Sequence, residues 1–87
     1  NASFARPGIN WLLNISIRNT GSSPSAVVNI YVGNVTCFSG SLTIDPGQTR
    51  NLVNINCGST GFISGVRYTI RVLTAAGNIF YTEVIAG

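Results

Sequence analysis

Two cysteines, Cys37 and Cys57, and two acids, Asp45 and Glu83, are the residues of this 87-residue chain with the greatest chemical reach. Nucleophilic catalysis needs a base beside the nucleophile, and the chain has many hydroxyls but no His and no Lys. Glycoside hydrolysis usually needs two carboxylates about 5 to 9 Å apart. Asp45 precedes Pro46 in a turn, where an Asp side chain commonly bonds the backbone, and Glu83 lies in the last apolar segment. Both acids therefore have structural readings, and no catalytic residue is expected. The chain reads as a non-enzyme.

Metal and cofactor sites are not expected either. Calcium takes several carboxylates, and zinc needs more His or Cys than two cysteines supply. The glycines are scattered through turns, and Gly58 to Gly65 precedes a strand instead of opening a helix around a phosphate. Cys37 and Cys57 stand 20 residues apart, which excludes a Cys-x-x-Cys redox motif. A disulfide is the leading reading in so small a domain. Closing that loop contributes about 3 kcal/mol in the chain-entropy model. Two buried free thiols are the alternative.

Three Asn-x-Ser/Thr sequons occur, at Asn1, Asn14 and Asn34, no more than this composition gives by chance. Asn34 falls in a hairpin turn and is the accessible acceptor; Asn14 qualifies only if its strand face is open to solvent. Tyr31 and Tyr81 are the aromatic candidates for ligand or subunit contacts. Trp11 alternates in phase with Leu13 and Ile15 and reads as core.

The elements that must carry these residues are strands. From Asn10 to Asn19, Trp11, Leu13, Ile15 and Ile17 alternate with Asn14, Ser16 and Arg18, the period of a half-buried strand. Further strands are expected at 25–32, 35–38, 42–44, 49–57, 67–74 and 79–85. Turn signals separate them: Gly33-Asn34 suits a two-residue hairpin, and Asp45-Pro46-Gly47-Gln48 matches a type II turn. The expected core holds Trp11, Leu13, Ile15, Ile17, Val28, Ile30, Val53, Ile55, Tyr68, Ile70 and Val72. The loop 58–65 should fold Phe62 and Ile63 back onto it.

Seven short strands without a helical period predict an all-β fold, a seven-stranded antiparallel Greek-key β-sandwich, immunoglobulin-like in the broad sense. An OB-type or other small barrel is the alternative. Residues 1–8 read as a neck or linker, and 9–87 as one domain.

Eight Val and ten Ile favour pleated sheet, while nine Ser, eight Thr, ten Asn and ten Gly supply a neutral polar surface. The net charge of +3, from five Arg, is too weak and dispersed for a nucleic-acid partner. So few charges do little to keep copies apart, which suits a subunit that packs against others. No run of about 18 apolar residues is present, and a start at Asn1 suggests a processed product or excised fragment.

Ile15-Ser16-Ile17-Arg18-Asn19-Thr20-Gly21, Val28-Asn29-Ile30-Tyr31-Val32, Ile44-Asp45-Pro46-Gly47-Gln48-Thr49 and Gly65-Val66-Arg67-Tyr68-Thr69-Ile70-Arg71-Val72 together resemble the cell-surface β-sandwich modules of archaea. The segment from Tyr68 to Val84, with Thr74-Ala75-Ala76-Gly77-Asn78, is most similar to the globular heads of archaeal pilins and archaellins of the type IV pilin superfamily. These motifs are turn and strand signals, and they span nearly the whole chain. The long apolar N-terminal helix of those subunits is not in this sequence. The resemblance implies an extracellular filament head for packing and adhesion, self-associating through such a helix, with a cell-wall protein or surface glycan as further partners. A wall-binding or adhesin module and a small secreted carbohydrate-binding domain are the alternatives.

Overall fold

A computed structural model describes residues 2–87. Its seven strands are β1 (Ala2–Ala5), β2 (Leu12–Arg18), β3 (Ser25–Val32), β4 (Val35–Ile44), β5 (Thr49–Asn56), β6 (Arg67–Thr74) and β7 (Ile79–Ile85). All strand pairings are antiparallel and form two sheets, β1-β2-β5 and β4-β3-β6-β7. The described residues form no helix, hence none long and apolar enough to cross a membrane.

The two sheets share one core, which makes the fold sandwich-like. Trp11, just before β2, and Leu13 and Ile15 of β2 enter it from one side, and Val27, Ile30, Val32, Ile70, Val72 and Val84 from the four-stranded sheet. The period-2 pattern of β2 thus places its side chains as expected, with Ile17 half-buried at the end. Burying an aliphatic side chain of this kind is worth about 1.5 to 3 kcal/mol.

The strand count matches the expectation through two compensating differences. The expected strands 35–38 and 42–44 are one strand, β4, which runs on through Ser39-Gly40-Ser41. The additional strand is β1, from the entry segment, whose Phe4 is only 2% exposed. Four residues are too few to show a readable alternation.

Bulges explain the residues that lie out of phase. Opposite Asn14, β5 carries two residues, Val53 and Asn54, because Leu13 pairs with Ile55 and Ile15 with Leu52. A two-against-one bulge moves every later side chain by one position. Val53 is consequently 67% exposed and Leu52 turns inward, correcting the expected core. In β3, both pairings shift between Val27 and Asn29, so Val27 is buried and Val28 only half-buried. Ile63 also stays outside, 68% exposed, while Phe62 packs on the core.

Both long edges of the sandwich are tied. On one, Cys37 of β4 is bonded to Cys57 just after β5, with Cα atoms 4.6 Å apart. Ile30 pairs with Phe38 and Tyr31 with Thr36, so Cys37 is the extra residue of a bulge that re-aims its side chain. On the other edge, Phe4 and Ala86 form a parallel bridge, and the Gly87 N–H donates to the Phe4 carbonyl at 2.8 Å.

Beneath that edge lies an aromatic cluster. Phe4 stacks on Trp11 at 5.1 Å between centroids and meets Phe62 edge-on at 4.8 Å, while Phe62 meets Tyr68 at 5.2 Å. Such pairs add about 0.5 to 1.5 kcal/mol beyond area burial. The Tyr68 hydroxyl accepts the Ile63 N–H at 2.7 Å, pinning the loop to β6. Two turns form as their glycines require: Gly33 (φ 58°) leads the β3–β4 hairpin, and Gly47 (φ 78°) occupies the third turn position, closed by the Gln48 N–H donating to the Asp45 carbonyl.

Candidate functional site: the outer face of the four-stranded sheet

The two outer faces of the sandwich differ in chemistry. On the three-stranded sheet, short neutral side chains bond one another. Asn14 donates to the Ser3 hydroxyl at 3.4 Å, and the Ser16 hydroxyl donates to Asn51 Oδ1 at 2.6 Å. That face is hydrogen-bonded within itself.

The four-stranded sheet presents a different surface. Tyr31 of β3 stands opposite Arg71 of β6, and Arg71 stands opposite Tyr81 of β7. The three side chains form a row across three strands, with the two tyrosines about two strand spacings, roughly 10 Å, apart. The Arg71 guanidinium lies 4.8 Å from the Tyr31 ring centroid and donates from Nη2 to the Gly33 carbonyl at 3.3 Å. Stacking on a tyrosine and a neutral carbonyl fixes its position without cancelling its charge. Tyr81 is 66% exposed, with Ile79 and Glu83 on either side of it on the same face of β7 and Ile85 beyond Glu83.

Tyr31 and Tyr81, singled out from sequence, thus share one face. Arg71 between them was not singled out. Its only signal is alternation with Ile70 and Val72, and that gains meaning once strand register is known.

The remaining expected residues fall in separate places. Cys37 and Cys57 are paired at the sandwich edge. Asn34 is exposed in the β3–β4 turn. Asn14 uses both ends of its amide, since Oδ1 accepts the Asn54 N–H at 2.8 Å while Nδ2 reaches Ser3. Asn1 lies outside the described residues. Asp45 closes its turn through its main-chain carbonyl, and Glu83 pairs with Arg67 at 3.4 Å, the Arg67 and Glu83 side chains both well exposed. Such a pair contributes about 0 to 1 kcal/mol.

A hollow of about 440 Å³ opens between the sheets at the end away from the aromatic cluster, with Ile17, Val72 and Phe80 among its lining. Phe80, on the inner side of β7 with Val84, is 60% exposed there.

Compared with protein-family models and with curated proteins, the chain finds no match. The disulfide itself indicates a non-cytoplasmic, oxidising environment.

Proposed function

We propose that this chain is a non-catalytic module of an extracellular surface protein, that it works by contact, and that it is the outward-facing head of a filament subunit of the type IV pilin kind. The observation that carries this reading is the Tyr31–Arg71–Tyr81 row on an exposed sheet face, set against the self-bonded Ser/Asn face behind it. Tyrosine and arginine are enriched where proteins touch. The low charge and neutral polar surface support the same reading, as does the resemblance carried by the turns and strands.

Within this reading the fold is a Greek-key sandwich of immunoglobulin-like topology. Lettering the strands A, B, C, C′, E, F and G puts A-B-E in one sheet and C′-C-F-G in the other. The first, second and fifth strands and the third, sixth and seventh divide as in a constant-type immunoglobulin domain; the fourth instead lies beside the third. Tyr68, early in the sixth strand and bonded to the backbone five residues upstream, supports this as a tyrosine-corner arrangement. The disulfide departs from that pattern, since it does not join the second and sixth strands.

Immunogold electron microscopy of intact cells that make the protein, with antibody raised to this chain, tests the reading. Label along filaments is expected. Label confined to the cell envelope would replace the filament head with a wall-bound module, and label found only inside cells would end the surface reading.

A further inference from the structure

We propose that β7 is a self-pairing edge, through which two copies of this chain join antiparallel about a two-fold axis at Tyr81 and so merge their four-stranded sheets. This rests on strand geometry and stands apart from the surface role proposed above.

Among the described residues the sandwich has four edge strands, β1, β5, β4 and β7. Exposed edges invite pairing, and folds usually blunt them by shortness, bulges or irregular register. Three are blunted here. β1 has four residues, β5 carries the Val53-Asn54 bulge, and the register of β4 shifts twice along β3. β7 keeps unbroken register with β6 along its length and exposes Ile79, Phe80, Tyr81 and Ile85.

The direction of its backbone groups follows from the ladder. Thr74 N–H bonds the Asn78 carbonyl, and Ala86 N–H bonds the Val66 carbonyl, so even-numbered residues of this strand face β6. By alternation Ile79, Tyr81 and Glu83 turn their N–H and C=O groups to the open edge. Beyond them β1 covers the strand, through the Phe4–Ala86 bridge and the Gly87 bond to Phe4. Among the described residues the open stretch is therefore 79–83, and its midpoint is Tyr81.

Pairing about that midpoint sets outward-facing residues against outward-facing residues. Tyr81 meets Tyr81 of the second copy, and Ile79 meets Glu83, each such pair exchanging both backbone bonds. Like charges are kept apart, because the two Glu83 side chains stand opposite isoleucines and each retains its Arg67. A two-fold at Glu83 would instead oppose two carboxylates, which is unfavourable. The Tyr81 register also continues the Tyr31–Arg71–Tyr81 row into its symmetry mate, forming one long aromatic and basic surface. These complementarities favour a second copy as the occupant of the edge.

Sedimentation velocity of the protein over a concentration series tests this, beside Tyr81→Pro, Tyr81→Lys and a pair of cysteine variants. Tyr81→Pro removes an N–H that the β6 ladder does not use, a substitution that edge strands tolerate. Tyr81→Lys opposes two ammonium groups and keeps the backbone intact. The expected result is a concentration-dependent dimer, abolished by Tyr81→Pro and weakened about tenfold by Tyr81→Lys. Near-ultraviolet circular dichroism checks that the variants stay folded. Tyr81→Cys should cross-link to itself on mild oxidation, since opposed Cα atoms in such a pair lie about 5.5 Å apart; Ile79→Cys should not. A protein that stays monomeric at millimolar concentration, or a dimer that survives both Tyr81→Pro and Tyr81→Lys, overturns the proposal.

Discussion

The side-chain carbonyl of Asn14 in β2 accepts the backbone N–H of Asn54 in β5 at 2.8 Å, where Asn54 adopts a left-handed conformation with φ 56°. A strand 40 residues earlier in the chain thus holds the bulge that turns Val53 outward. Asn tolerates this conformation better than most side chains, and the borrowed acceptor removes the cost of an unpaired donor. Replacing Asn14 with Ala should destabilise the protein by about 1 kcal/mol in urea unfolding. Asn54→Gly should be close to neutral, whereas Asn54→Ala should cost about 1 kcal/mol or more. Equal tolerance of Gly and Ala at position 54 would contradict this account of the bulge.

The bridge between Cys37 and Cys57 ties the sheets along one edge. Replacing both cysteines with Ala should cost about 3 kcal/mol in denaturant unfolding. Alkylation before reduction should add no mass to the wild-type protein. Uptake of two labels by the unreduced protein would count against the bridge.

Tyr68 links the aromatic cluster to the loop before β6. Tyr68→Phe keeps the ring contacts and strands the Ile63 N–H, so a loss of about 1 kcal/mol is expected. Hydrogen exchange should show the Ile63 amide losing protection. An unchanged exchange rate there would mean that the hydroxyl does not hold the loop.

Ile70 and Val53 test the two sides of the sheets. Ile70 is fully buried, and its truncation to Ala should cost about 2 to 5 kcal/mol. Val53→Ala, on the exposed bulge, should stay within about 0.5 kcal/mol. Comparable losses at the two positions would refute the register of β5.

Of the sequons, Asn34 in its turn is open to solvent, and the amide of Asn14 is engaged at both ends. In a host that attaches N-linked glycans, Asn34→Gln should lose one glycan's mass and Asn14→Gln should lose none. The reverse pattern would contradict the placement of these side chains.

The strands were legible in the sequence because burial on one face imposes a period of two, as Trp11, Leu13 and Ile15 display. The bulges were not, because their causes are remote. Nothing local to Val53 and Asn54 announces an acceptor on Asn14, and Val28 leaves the core through pairing with β4 and β6. Phe4 was missed because four residues show no period, although aromatic partners from three other segments bury it. The candidate site was half legible. Tyr31 and Tyr81 stood out as residues, but their row with Arg71 exists only after β3 pairs with β6 and β6 with β7.

The central claim is that this protein acts by contact through the Tyr31–Arg71–Tyr81 face, and hydroxyl-radical footprinting tests it most directly. Side-chain oxidation would be compared between the dilute purified chain and the same protein in native surface material. The account predicts that Tyr31 and Tyr81 are strongly protected in the native material, while Leu12 and Val53 on the three-stranded sheet oxidise equally in both. Equal oxidation of both tyrosines in the two states would contradict it.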